Sequence, residues 1–302
     1  MEKLKHNLLT VYKKYDYLNL KGERPLIKIL VSYIKPSFLF KSEILTPIHL
    51  GRAVERDTSK DGVISDEDIK WLHENCIGDD DFEGNISSVN RRVGLFTGTY
   101  WAYKNYEKLG NPVFLGSFGY RKLFEPRCLE SIGNVDLIIP EKSKLLMPNN
   151  KTQFISWHSN SLYIAMIRSF SFVYPMEVET FNSYLQSDYA YSHELYIMKQ
   201  HLFKRFCEWI FPLIDNILRD KECKFVEDNE EIISMQKLSG QINDRRDIAF
   251  IIEVYTGYFL YKQINYGNIV YRTSRVVELD NENKYKQKLL SCIRKKVITK
   301  KG

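Results

Sequence analysis

Short apolar, β-branched runs recur along this chain, each halted by a turn, and the segments between them carry apolar residues at helical spacing. That alternation restricts the fold to the α/β class. The first run is Ile27 to Tyr33, stopped by Lys35-Pro36, after the punctuation Lys21-Gly22-Glu23-Arg24-Pro25. Pro112 to Phe118, Val135 to Pro140 and Ile269 to Val277 repeat the pattern. Between them, Leu95, Thr99, Ala102 and Tyr106 form a helical stripe with Trp101 nearby, predicting one helix over 90–106. Residues 195–219 predict another, which Pro212 should kink, start or interrupt. A third is predicted over 247–265, with Phe250, Ile251, Val254, Tyr258 and Tyr261 packing and Glu253 available to a cleft. In open sheets of this class, ligands sit beyond the carboxyl ends of the strands. With 302 residues, 44% of them hydrophobic, one large core is expected.

The five cysteines are odd in number and irregular in spacing, so they predict reduced thiols rather than a disulfide framework or a zinc module. No run has the length of a signal peptide core or a membrane span, which predicts a cytosolic protein or one resting on a membrane. The net charge is +6, and the excess gathers at Lys284, Lys286, Lys288, Arg294, Lys295, Lys296, Lys300 and Lys301. Such a tail reads as a solvated helix, with contact to an anionic membrane surface as the competing reading. Nucleic acid is disfavoured, because no continuous basic face with stacking aromatics accompanies the charge.

Arg121 and Lys122 directly follow an apolar run, which would present a guanidinium fork and a mobile ammonium where a diphosphate could bind. Arg245 and Arg246 form a second candidate anion-binding pair, and Asp136 has the context of a strand-borne cleft residue. Glu253, Asp188, Asp247 and His158 are candidate bases for an acceptor hydroxyl. The run Asp79-Asp80-Asp81 suits a divalent ion, a sugar or a solvated loop equally, so metal use stays open. Residues 57–68 superficially suggest an EF-hand, but the ligand register fails. His73, His193 and His201 show no compact metal-ligand pattern, which disfavours a zinc hydrolase.

Several segments in order then resemble one bacterial family. They include Ile27-Lys28-Ile29-Leu30-Val31-Ser32-Tyr33, Leu45-Thr46-Pro47-Ile48-His49-Leu50-Gly51, and Gly84-Asn85-Ile86-Ser87 leading into Thr99 to Asn105. Gly119-Tyr120-Arg121-Lys122-Leu123-Phe124, Val135 to Pro140, Tyr196-Ile197-Met198, Cys207 to Pro212 and Arg246 to Glu253 complete the set. Together they resemble predicted glycosyltransferases of capsule and lipopolysaccharide biosynthesis, first catalogued as a domain of unknown function and including galactofuranosyltransferase domains. Where that family usually has His-Tyr-Arg-Arg, this chain has Gly119-Tyr120-Arg121-Lys122; the usual Asn-Met-Phe-Ile-Met is here Glu194-Leu195-Tyr196-Ile197-Met198.

The resemblance implies a glycosyltransferase A-like α/β fold, a mixed central sheet flanked by helices. It would occupy residues 27–280, between an N-terminal helical extension (1–26) and a basic C-terminal tail (281–302). It implies a nucleotide-sugar donor, a UDP-linked sugar among the candidates, and a saccharide or lipid-linked saccharide acceptor. Tyr33, Tyr120, Arg121, Asp136, Arg245 and Arg246 are then the expected donor contacts, and Glu253, Asp188 and His158 the expected catalytic groups. The location implied is cytoplasmic, on or near the inner face of the bacterial membrane. The contrasting expectation is a catalytically weakened scaffold of polysaccharide assembly.

Overall fold

The computed structural model describes residues 1–20, 22–57, 63–191, 195–220 and 247–279. Arg245, Arg246, His193 and the tail over 281–302 lie outside the described residues.

Among the described residues the strands are β1 (Ile27–Tyr33), β2 (Leu45–His49), β3 (Ile77–Gly78), β4 (Phe114–Gly119), β5 (Lys122–Phe124), β6 (Leu137–Pro140), β7 (Ser143–Lys144), β8 (Tyr189–Ala190), β9 (Tyr196–Lys199), β10 (Tyr271–Ser274) and β11 (Val276–Glu278). Among the described residues, nine of them form one mixed sheet of order β10-β6-β9-β4-β1-β2-β3, with β5 bridging β4 to β11. β1 pairs in parallel with both β2 and β4, while β9 runs antiparallel to β4 and β6. The chain therefore builds outward from β1 to β2 and β3 on one side and returns to place β4 on the other. That reversal is the topological switch at which ligands of open α/β sheets bind.

Strand periodicity divides the core into two layers. In β1, Ile27, Ile29, Val31 and Tyr33 face one layer and Leu30 the other. In β9, Ile197 joins the first, while Tyr196 and Met198 join the second. The second layer is covered by helices α4 (Phe96–Lys104), α6 (Asn160–Val173), α7 (Val178–Leu185), α8 (Gln200–Leu218) and α9 (Asp247–Tyr266). Among the described residues, the remaining α-helices are α1 (Glu2–Lys13), α2 (Asp66–Asn75), α3 (Asn90–Val93) and α5 (Asn150–Trp157). α1 and α2 pack on the first layer: Tyr12 is fully buried there, and its hydroxyl donates to the Phe124 carbonyl at 2.6 Å.

Three expected elements differ in detail. The single helix over 90–106 divides at Gly94, whose φ of 59° and ψ of −129° no helix accommodates. The start of the 195–219 helix is instead strand β9, and α8 continues through Pro212. The last strand splits at Arg275 into β10 and β11. Cys76, Cys128 and Cys207 are buried free thiols. Among the described residues no helix is long and apolar enough to cross a membrane.

Candidate active site

Beyond the carboxyl ends of β1 and β4 lies a cavity of about 390 Å³, within the ordinary range for small-molecule sites. Three groups of residues line it: Ser32, Ile34, Leu50, Gly119, Tyr120, Arg121, Lys122 and Leu195 from the strand ends, Asn90, Arg91, Gly94 and Leu95 from the α3–α4 junction, and Ala249, Phe250 and Glu253 from α9. Ala249 and Phe250 stand four and three positions before Glu253, so helical spacing places all three on one face of α9.

Tyr120 and Arg121 form a two-residue connection between β4 and β5, closed by the Gly119–Lys122 pair. The Tyr120 amide donates to the Ser32 carbonyl at 3.1 Å, which ties this turn to the end of β1. Arg121 donates from Nε (2.8 Å) and Nη2 (2.6 Å) to the Tyr120 hydroxyl. Tyr33 lies behind, stacked on the Tyr120 ring at 5.3 Å, and its own hydroxyl donates to the Phe38 carbonyl. Burial pushes the Tyr33 phenol well above its ordinary pKa, so it stays protonated. Tyr33 thus supports Tyr120 and does not itself line the cavity.

Arg91 escaped the sequence reading, although it stands in the conspicuous Asn90-Arg91-Arg92 run. Its Nη2 donates to the Val54 and Asp57 carbonyls at 3.2 and 3.1 Å. Arg91, Arg121 and Lys122 line this cavity together, and among the described residues its lining carries one carboxylate, Glu253. Such an excess of donors suits an anion.

Glu253 also borders a second, smaller cavity of about 170 Å³, lined by Asn150, Gln153, Phe154, Trp157, His158, Tyr184, Ala190, Tyr191, Phe250 and Val254. His158 packs against Phe154 and Phe250, with ring centroids 4.8 and 4.3 Å away. Burial lowers its pKa to about 4, so at neutral pH the imidazole is uncharged and a weak base.

The structure thus brings Tyr120, Arg121 and Glu253 to one cavity and His158 to its neighbour. Asp188 is exposed and borders neither of them. Asp136 lies at the opposite sheet edge, because it precedes β6, which runs in the same direction as β4. There it accepts hydrogen bonds from Lys199 Nζ and the Val270 amide, both at 2.8 Å. Burial alone would raise its pKa, but those two bonds and the Lys199 charge together hold the carboxyl below its ordinary value. Asp79 is buried as an anchor, accepting from the Gly51 amide (2.7 Å), the Arg52 amide (3.1 Å) and the Ser87 hydroxyl. Asp80 faces Arg52, and Asp81 pairs with Trp101 Nε1 and Lys108, so the acidic run is spent on separate partners.

His73, expected to stand apart from any ligand set, instead meets two residues that sequence reasoning passed over. His49, Glu55 and His73 bring three ligand-capable atoms within 4.8 Å of one another beside the main cavity. In sequence they are dispersed; β2, the turn after it and α2 unite them.

The family described as Domain of unknown function (DUF4422) matches residues 28–236. The chain belongs to this family. The matched DUF4422 segment includes the strand ends, the Tyr120-Arg121 turn and the His49 cluster, while α9 with Glu253 follows it. A solved apo structure, the WbbM bifunctional glycosyltransferase, is similar to this DUF4422 chain with a TM-score of 0.63 and 21% identity. The likeness covers 84% of this chain and 45% of that one, so the chain spans less than half the length of that relative. At this identity the likeness shows the fold, a mixed α/β sheet flanked by helices as in a glycosyltransferase. No curated protein matches the chain.

Proposed function

We propose that this protein is a glycosyltransferase whose main cavity takes a nucleotide-sugar donor, and that its acceptor is a saccharide of capsule or lipopolysaccharide assembly. The observation that carries the reading is the convergence of Arg91, Arg121 and Lys122 with the carboxylate of Glu253 at the sheet's switch point. In this reading the cationic groups hold the donor diphosphate and stabilise the charge that grows on it as the bond to the anomeric carbon breaks. The acceptor hydroxyl oxygen forms the new bond to that carbon and passes its proton to Glu253. The nucleoside diphosphate departs with the electron pair of the broken bond. Glu253 borders both cavities, so the same carboxylate can meet a donor on one side and an acceptor on the other.

The fold likeness to a glycosyltransferase supports this assignment of reaction class. In the same reading residues 27–280 are the catalytic unit, acting at the cytoplasmic face of the membrane, with no role assigned to Asp136 in donor binding.

The test is calorimetric binding of nucleoside diphosphates, followed by a donor-by-acceptor transfer screen with product mass analysis. Arg121→Ala should weaken diphosphate binding about tenfold or more, the loss of a hydrogen-bonded charge contact of roughly 1.5–3 kcal/mol. Glu253→Gln should leave that binding within about threefold and slow transfer by about a hundredfold or more. Wild-type binding by Arg121→Ala together with full turnover by Glu253→Gln would sink the assignment.

A further inference from the structure

We infer that His49, Glu55 and His73 form a binding site for a transition-metal cation of the zinc class, separate from the donor diphosphate and holding α2 to the end of β2. Glu55 Oε2 lies 2.9 Å from His73 Nε2 and 3.6 Å from His49 Nδ1. Two imidazole nitrogens and one carboxylate oxygen are a ligand set for zinc, cobalt or nickel rather than magnesium or calcium, which prefer all-oxygen sites.

The buried histidine supplies an independent observation. His49 is 1% exposed, and its Nδ1 has no hydrogen-bond partner among the described residues. A finished His–Glu–His hydrogen-bond network would place Nδ1 within bonding distance of the carboxylate; here the gap is too long for a hydrogen bond. His73 stands at the edge of solvent, so a water can fill a remaining coordination position.

Arg52 sets the condition for binding. Its Nη2 lies 3.4 Å from His73 Nδ1. Arginine can only donate, so without the cation His73 accepts at Nδ1 and donates from Nε2 to Glu55. Ligation through Nε2 requires the ring proton to move to Nδ1, and Arg52 must then turn away. Asp80 waits for it, with Oδ1 3.6 Å from Arg52 Nε. The cation thus competes with one arginine, and removing that arginine should favour the cation.

The location gives such a site a consequence. His49 and Glu55 line a small hole of about 20 Å³ that shares Ile34, Leu50 and Arg91 with the main cavity. An ion joining the end of β2 to α2 would stiffen the wall that carries Arg91.

The inference is tested on the full chain, free of any affinity tag and stripped by a chelator. Cobalt(II) is titrated while its visible ligand-field absorption is followed, and zinc(II) is then added in competition. The wild type should bind about one equivalent with the intense absorption of a four- or five-coordinate site, displaced by zinc. His73→Ala and Glu55→Gln should each weaken binding by about tenfold or more, whereas Arg52→Ala should bind as tightly as the wild type or tighter. Circular dichroism verifies the fold of each variant, and the half-exposed His73 makes its variant the safer of the two. Equal affinity in wild type and a folded His73→Ala or Glu55→Gln variant overturns the site, as does the faint spectrum of six-coordinate, water-bound cobalt. Nucleoside diphosphate binding is measured separately, so failure here leaves the donor reading standing, and the reverse also holds.

Discussion

Arg121 reaches the cavity from a tight turn, where long cationic side chains would ordinarily sample many rotamers at an entropic cost to any ligand they bind. The Tyr120 hydroxyl reduces that freedom by accepting from two of the guanidinium nitrogens, and the Tyr33 ring holds Tyr120 from behind. Tyr120 is therefore a positioning residue for Arg121. Replacing it in Tyr120→Phe keeps the stacked ring and deletes the acceptor. We expect nucleoside diphosphate affinity to fall about three- to tenfold, the equivalent of roughly 1 kcal/mol for one hydrogen bond, with little change in thermal stability. Unchanged affinity in calorimetry would mean that other contacts orient Arg121. The Tyr-Arg pair was legible in the sequence because it directly follows an apolar run. Arg91 was not, since a basic residue in a polar segment resembles any solvated helix until tertiary packing brings it to a cavity. His49 and Glu55 were hidden for the same reason, being separated from His73 by a turn and a helix.

At the scale of elements, the cavity depends on a break in a helix. Residues 90–106 carry one amphipathic stripe, yet Gly94 divides them into α3 and α4 and turns Arg91 and Leu95 toward the cavity. Asn90 secures the break by donating to the Gly94 carbonyl (2.8 Å) and the Thr97 hydroxyl (3.0 Å). Among the described residues a Cβ at position 94 would meet only the Ala249 methyl, at an ordinary 3.8 Å, so the objection to a side chain there is the positive φ of 59°. Gly94→Ala is expected to cost about 1–3 kcal/mol in urea unfolding, the range for strained backbone, and to weaken diphosphate binding by displacing Arg91. A stability within about 0.5 kcal/mol of wild type would show that the junction adopts another backbone conformation at no cost. Periodicity located β1 to the residue and α9 nearly so. It failed at β9, where Leu195 to Met198 is an unbroken apolar run that strand and helix templates fit equally. It also passed over β2, in which Pro47 argues against a strand. Pro47 is tolerated because β3 pairs only with Ile48 and His49, leaving no ladder partner for a Pro47 amide on that side.

Across the whole molecule, strand direction decides which carboxylates can share a site. β1, β2 and β4 all run toward the cavity, and β6 runs with β4, so a residue just before β6 must stand at the far edge. Sequence alone made Asp136 and Glu253 comparable, because composition and local pattern carry no information about the order or direction of strands. The structure separates them: Asp136 joins the ends of β6, β9 and β10 through Lys199 and the Val270 amide, while Glu253 borders both cavities. The two conservative amide variants should therefore behave oppositely. Asp136→Asn should lower stability by about 1–3 kcal/mol, the cost of leaving a partly buried Lys199 without its charged partner, and leave diphosphate binding and transfer near wild type. Glu253→Gln should change urea stability by less than about 1 kcal/mol while transfer collapses. Measuring both quantities on both variants separates a residue that joins strands from one that handles a proton. Loss of transfer by a stable Asp136→Asn protein would place the reaction at the other edge of the sheet, against the direction in which β1 and β4 deliver their ends.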